Sequence, residues 1–304
     1  GRLDQSPAQL MEILTHMQAW HILPEVAIIH AESRLEEVVA DALERGIRLV
    51  VIGGGDGTID SAVGALAGTD AVLGVIPIGT RNNIALSLDI PTNDIAEAVA
   101  ILRRGRRLRL DVGSAHSGHN RRPFLEASSV GLISALYPAA DDIQHGNLAR
   151  IGDLLGTLVS MPAAEIHLDV DEGQQLMTAQ GHIVLVANMP FFGANFHLAD
   201  DISFDDGLLD VFVYSNLTKL DLIGYAVQMA GGIPEDPRVQ HFRARSLLIR
   251  TLPRMPVMAD GFSLGEGPLK VSVQHEGLNV MAGVAAHARS AARLGSRTET
   301  IPNG

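Results

Sequence analysis

Val50-Val51-Ile52-Gly53-Gly54-Gly55-Asp56-Gly57-Thr58-Ile59-Asp60 joins an apolar run to a glycine-rich turn. An apolar run from Leu49 to Ile52 is continuous, as in a strand buried on both faces of a parallel sheet. It ends in four glycines enclosing one acid, and a helical pattern follows from Thr58 to Leu66. Strand, tight turn and helix start together leave backbone N–H groups able to face a ligand. No Gly-Lys-Ser/Thr follows, so this is not a P-loop, and the glycine spacing is not that of a dinucleotide fingerprint. Nucleotide binding here would rest on backbone amides and threonine hydroxyls.

Working outward, the neighbouring segments repeat the alternation. Ser6-Pro7-Ala8-Gln9 reads as a helix start, followed by Leu10, Ile13, Leu14 and Met17 on one face. Glu25 to His30 is a strand candidate, and Ser33-x-x-Glu36 caps a helix that Gly46 ends. Ala71 to Ile76 is the next strand, closed by Pro77-Ile78-Gly79-Thr80-Arg81-Asn82-Asn83. Asp94-x-x-Glu97 caps another helix. Alternating strands and helices predict an α/β layer, in which ligands sit at the C-terminal ends of the strands. Both Gly53 to Thr58 and Gly79 to Asn83 fall there.

The character changes around Arg103 to Arg109, which reads as a helix end and linker. From Asp111 strands dominate: Phe124 to Leu132, Glu165 to Asp171, His182 to Asn188, Leu208 to Ser215, Arg245 to Arg250, Pro256 to Ala259 and Leu269 to Gln274. Helical insertions are expected within Ile143 to Ser160 and from Thr218-x-x-Asp221 to Met229. The domains are thus an α/β nucleotide domain over 1–110 and a β-rich sandwich over 111–284. An Ala/Arg-rich tail, 285–304, is expected to return as a helix to the first domain.

Composition narrows the function. The 304 residues are 46% hydrophobic and 19% charged, with a formal net charge of −12. That charge argues against nucleic acid as a partner. The absence of cysteine excludes disulfides, thiolate metal sites and a cysteine nucleophile, and fits a cytoplasmic home. No apolar run reaches the roughly 20 residues of a membrane span. Twelve scattered histidines show no metal spacing; His116-x-x-His119 lies in a Ser/Gly/Asn-rich turn. Pro190-Phe191-Phe192-Gly193-Ala194-Asn195-Phe196 is aromatic-rich, and either lines a lipid mouth or anchors the β core.

Gly54-Gly55-Asp56-Gly57-Thr58 together with Gly79-Thr80-x-Asn82 resembles the diacylglycerol kinase catalytic domain family of soluble bacterial lipid kinases. That family is similar to sphingosine and ceramide kinases, and more distantly to NAD kinases and phosphofructokinases. Leu88-Asp89-Ile90-Pro91, Asp111-Val112-Gly113, Phe124 to Gly131, Asp205-Asp206-Gly207-x-Leu209-Asp210 and Ala259-Asp260-Gly261 extend the resemblance over nearly the whole chain. The family's opening strand, with its Asn-Pro…Ser-Gly turn, has no counterpart in this sequence.

The resemblance implies a kinase in which ATP and a lipid meet between two domains. Gly54, Gly55, Asp56, Gly57, Thr58, Ile59, Asp60, Gly79, Thr80 and Asn82 would hold the nucleotide. Asp56, Asp111 and Asp206 would form an acid and Mg²⁺ network, with a structural Mg²⁺ on Asp206 and the backbone oxygens of Ser203 and Leu208. Mg²⁺ favours such hard oxygen donors. Asp260 would be the general base. The lipid partner would be met transiently at a membrane surface, and a homodimer is left open.

The sequence departs from the family at three acid-bearing positions. Phe262 replaces a glutamate often given the base role, Asn83 replaces an aspartate, and Glu126 replaces an asparagine. Three readings therefore stand: a lipid kinase acting on diacylglycerol or a related lipid, a catalytically weakened homologue that binds nucleotide or lipid, and a kinase of soluble substrates nearer to NAD kinase.

Overall fold

A computed structural model describes residues 6–29, 34–144, 146–193, 195–199, 201–228 and 236–286. The chain forms two units: one runs to Leu110 and resumes at Glu276, the other is Asp111–His275.

The first unit contains α1 (Ser6–Ala19), α2 (Leu35–Glu44), β1 (Leu49–Gly54), α3 (Asp56–Leu66), β2 (Val72–Pro77), α4 (Asn83–Ser87) and α5 (Ile95–Arg104). β1 and β2 pair in parallel from Leu49↔Val72 to Gly54↔Pro77. Their C-terminal ends therefore lie side by side, and the glycine loops follow from those ends. The core is aliphatic, with Ile59, Val63 and Leu66 of α3 meeting Leu73, Val75 and Ile76 of β2 in the buried set. α5 starts where the sequence places it: the Asp94 carboxylate accepts the Glu97 N–H at 2.9 Å.

In chain order, β3 (Arg106–Ser117), β4 (Asn120–Phe124), β5 (Ala127–Gly131), α6 (Leu132–Gln144), α7 (Ile151–Ser160), β6 (Ala164–Val170) and β7 (Gln175–Ala187) come next. They are followed by β8 (Phe191–Phe192), β9 (Phe196–His197), β10 (Leu209–Ser215), α8 (Lys219–Gln228), β11 (Val239–Ala244), β12 (Ser246–Leu252), β13 (Pro256–Ala259), β14 (Phe262–Glu266) and β15 (Leu269–Ala282). β3 begins in the first unit. β15 ends there, pairing in parallel with β2 through Asn279↔Val72 and Val280↔Leu73.

Within the second unit the described pairings are antiparallel. β7 organises them, with β6 along its first half and β5 and β10 on its second. Period-two alternation gives β7 two buried faces. Ile183, Leu185 and Ala187 join the core of Leu132 from α6 and Leu222 from α8. Val184 and Val186 face Phe124, Val257 and Val271. This is the β-rich sandwich expected after an α/β first domain.

Several local expectations change. Residues 25–29 form no strand, and His30 and Ser33 lie outside the described residues, so the Ser33 cap does too. α2 begins at Leu35 without a side-chain cap. Phe124 to Leu132 is not one strand: β5 stops at Gly131 and α6 follows, which the run Val130-Gly131-Leu132-Ile133 conceals. β15 is 14 residues long rather than a short segment. The helical tail expected over 285–304 lies outside the described residues from 287 onward.

Candidate functional site

β1 and β2 end at Gly54 and Pro77, and their loops meet backbone to backbone. A Cβ on Gly79 would lie 2.3 Å from the Gly55 Cα and 2.8 Å from its nitrogen. Real carbons do not approach so closely, so residue 79 has to lack a side chain. The second loop is locked by Asn82, in the left-handed region at φ 56. Its Oδ1 accepts the Gly79 N–H at 3.1 Å and its Nδ2 donates to the Gly79 carbonyl at 2.9 Å.

Asp56 ties the two loops together. Its carboxylate accepts the Asn83 N–H at 3.0 Å and the Ile84 N–H at 3.1 Å, capping α4 from the first residue of α3. Burial pushes the Asp56 carboxyl above its ordinary value, against the opposing pull of those amides and the Arg81 charge. Arg81 thus places a positive charge near the Asp56 carboxylate. Sequence reasoning passed over it; the signal was a lone cation in Gly79-Thr80-Arg81-Asn82.

Gly57 is exposed and a Cβ there would meet nothing within 4 Å. It is the second residue of α3, in the turn where the first N–H groups have no carbonyl in a preceding turn. Thr80 is exposed in the second loop. Two nucleotide assignments change. Ile59 is 1% exposed and its N–H donates to the Gly55 carbonyl, so it belongs to the core. Asp60 is also buried, one turn inside α3. Gly54 and Thr58 pack on each other: a Cβ on Gly54 would lie 2.8 Å from the Thr58 Cβ.

In the second unit Asp111 is fully buried. Its Oδ2 accepts the Gly207 N–H at 2.6 Å and its Oδ1 bonds the His275 Nδ1 at 2.8 Å. Asp111 thus braces the Ser203–Leu208 loop, while Asp56 braces α4 in the other unit. His275 has no motif to announce it. In the loop itself, Ser203 Oγ donates to Asp205 at 2.7 Å and the Leu208 N–H to Asp206 Oδ1 at 2.9 Å. Asp210 is no solvated acid: it is buried and bound by Arg243 at 3.0 Å and His241 at 2.7 Å. Asp200 lies outside the described residues.

Asp260 turns the chain between β13 and β14 at φ 41. Its Oδ2 accepts the Leu125 N–H at 2.6 Å, and its Oδ1 accepts Glu126 at 3.1 Å and Ala127 at 2.9 Å. The carboxylate expected to act as general base thus also holds the start of β5. Gly261 follows at φ 78, and the Tyr137 hydroxyl would stand 2.6 Å from a Cβ there. Phe262 lies under the Arg122 guanidinium, 3.4 Å from ring centre to carbon. Glu126 is buried, and Glu266 is at the far end of β14 opposite Pro256. Phe192 and Phe196 pack into the second unit's core, so they are anchors. The His116 ring bonds the Gly118 carbonyl in an exposed turn.

Residues 4–115 match the diacylglycerol kinase catalytic domain model. Residues 137–282 match the YegS C-terminal NAD kinase β-sandwich-like domain. The chain thus carries a diacylglycerol kinase catalytic domain followed by a YegS C-terminal-like domain. Among relatives, a diacylglycerol kinase of Bacillus subtilis is 27% identical over 76% of this chain and 78% of its own. An uncharacterized protein of Synechocystis is 26% identical over 83% of this chain, which spans 58% of that relative's length. A crystal structure of a diacylglycerol kinase from Bacillus anthracis superposes with a TM-score of 0.68 at 21% identity. It covers 91% of this chain and 93% of the other, and shows a shared fold.

These matches raise the question of whether the residues present fit a phosphate group and a metal ion. A phosphate group fits the first unit, where Gly57 leaves open space and Arg81 supplies positive charge. The donors expected for Mg²⁺ would be one carboxylate, Asp206, and the carbonyls of Ser203 and Leu208. Among the described residues no group of three acids or histidines is placed to hold a metal. A cation on this donor set would keep most of its waters, as Mg²⁺ commonly does. Also among the described residues, no helix is long and apolar enough to cross a membrane.

Proposed function

We propose that the chain is an ATP-dependent lipid kinase acting on a hydroxyl of diacylglycerol or a related lipid. The observation that carries this reading is the Gly55–Gly79 contact, with Gly57 open before it and Arg81 beside it. Relatives named diacylglycerol kinase, 25–27% identical over 76–80% of this chain, support the choice of a lipid acceptor.

The transfer forms a bond from the lipid hydroxyl oxygen to the γ-phosphorus and breaks the bond to the ADP oxygen. The hydroxyl proton passes to a base. The α3 N-terminal amides and Arg81 would orient the phosphates, and Asp56 would keep the two loops in register. Asp206, with the Ser203 and Leu208 carbonyls, would hold Mg²⁺, which supplies positive charge against the phosphate and acid oxygens. Asp260 is the acid available to take the proton. Because three amides already occupy its oxygens, transfer is expected to be slow.

A second reading, a weakened homologue that binds nucleotide, is favoured by Phe262 and by the bracing of Asp260. Transfer of labelled phosphate from ATP, with Mg²⁺, to dioleoylglycerol, ceramide, sphingosine and NAD separates the readings. Labelled lipid above the background of Gly55→Ala supports the kinase. Bound ATP without product supports the weakened homologue, and label in NAD alone overturns both.

A further inference from the structure

Arg122 has no part in the transfer described above, yet its charge needs an explanation. It sits half-buried on β4, with its guanidinium carbon 3.4 Å from the centre of the Phe262 ring. Its Nε is buried and has no hydrogen-bond partner. Among the described residues the side chain makes no ion pair. By contrast, Arg45, Arg150, Arg238 and Arg243 each hold a carboxylate, as expected in a chain of net charge −12.

The nearby acids do not neutralise Arg122. Asp260, two residues before Phe262, accepts the N–H groups of Leu125, Glu126 and Ala127. Glu126 is buried, and Glu266 closes the far end of β14. Stacking decides what remains. An aromatic ring takes the face of a guanidinium, whose N–H donors lie in its plane. Phe262 therefore orients the group without satisfying a donor. A glutamate at 262 would reach the same guanidinium and neutralise it. Phe262 is 38% exposed, so the stacked pair reaches the surface beside the Asp260–Gly261 turn. A fixed guanidinium with donors to give suits a phosphate, which accepts paired N–H bonds.

We propose that Arg122, oriented by Phe262, forms an anion subsite for the acceptor, so that the lipid phosphorylated carries a phosphate close to its reacting hydroxyl. The proposal deepens the lipid-kinase reading and rests on it. All of these groups belong to the second unit. Asp260, the acid assigned to that hydroxyl, and Phe262 are at most about 7 Å apart along the chain. One glycerol unit bridges such a span. A neutral diacylglycerol would cover Arg122 and leave it unpaired, and a site built to bond a group rejects the analogue that lacks it. Asp260 adds little repulsion to the anion, because three amides hold its carboxylate.

The test is isothermal titration of the intact chain with hexanoyl lysophosphatidic acid and with monohexanoylglycerol. These soluble lipids share a glycerol, an acyl chain and a free hydroxyl, and differ in the phosphate. The wild type is expected to bind the phosphate-bearing lipid about tenfold or more tightly than the neutral one. Arg122→Gln should abolish that preference by weakening the anionic lipid alone. Phe262→Glu should abolish it too, by setting a carboxylate against Arg122. It acts at an exposed position, so it stays informative if Arg122→Gln fails to fold. Equal binding of the two lipids by the wild type, a preference that either folded variant retains, or an equal loss for both lipids overturns the subsite. Glycerol phosphate, which has no acyl chain, is expected to bind more weakly than the lysolipid; equal affinity overturns the lipid occupant. Titration requires no phosphoryl transfer. Selective binding without turnover on ATP supports the subsite and counts against the kinase alone. Turnover of both lipids at equal kcat/KM overturns the subsite alone.

Discussion

Gly79 and Gly57 are both glycines of the nucleotide loops, yet they are there for different reasons. The Gly79→Ala methyl would press on backbone at Gly55, which cannot rotate away. We expect a loss of about 1–3 kcal/mol in urea unfolding together with weaker ATP binding. Gly57→Ala meets open space in a helix, so stability should hold or rise by up to about 1 kcal/mol. Its ATP affinity should nevertheless fall at least about tenfold if phosphate approaches there, a combination that calorimetry would detect. Asp56 adds a pH signature. Its folded-state value is raised above 3.8 by burial. Its contribution is therefore fully present below pH 3.8 and is lost as pH rises through the higher folded value. Asp56→Asn should flatten that part of the stability–pH curve, measured by unfolding between about pH 3 and 7. Glycine density in the sequence announced the site. Which glycine touches backbone, and which faces open space, depends on a loop more than twenty residues away.

Among the elements, those with local signals were legible and those defined by distant partners were not. Asp94-x-x-Glu97 announced α5, and Asp94→Ala should cost about 1 kcal/mol in thermal unfolding. Thr218-x-x-Asp221 announced α8, where the Thr218 N–H and hydroxyl both donate to Asp221. α6 was missed because its first turn reads as a continuation of β5 and because it contains Pro138. The β13–β14 turn shows the same limit. Asp260 stood out as an acid in a family-like motif, but its three amide partners are more than 130 residues away in sequence. Asp260→Ala leaves those buried amides without acceptors, so a loss of about 1–3 kcal/mol is expected in the absence of any substrate. An unchanged unfolding midpoint would mean that the bracing contributes nothing and that only the chemical role remains.

At the scale of the molecule, the chain passes from the first unit to the second after Leu110 and returns after His275. The return supplies the third strand of the first unit's sheet. Leu278, Val280 and Ala282 are fully buried there, Gly277 accepts the Gly68 N–H, and Gly283 donates to Leu88. Residues 1–110 alone should therefore fail to fold, since each buried aliphatic lost costs about 2–5 kcal/mol. Joining them by a short linker to residues 276–286 should restore a cooperative melt, as circular dichroism would show. Local sequence patterns specify the α/β layer, the two glycine loops and the change to β-rich structure. Apolar runs, capping residues and glycine density act within a few residues of one another. Long-range packing settles that Asp111 pairs with His275, that Asp260 is held by amides, that Ile59 is core and that β15 completes the first sheet. These outcomes depend on atoms brought together from positions far apart in the chain, and no local pattern encodes such a meeting.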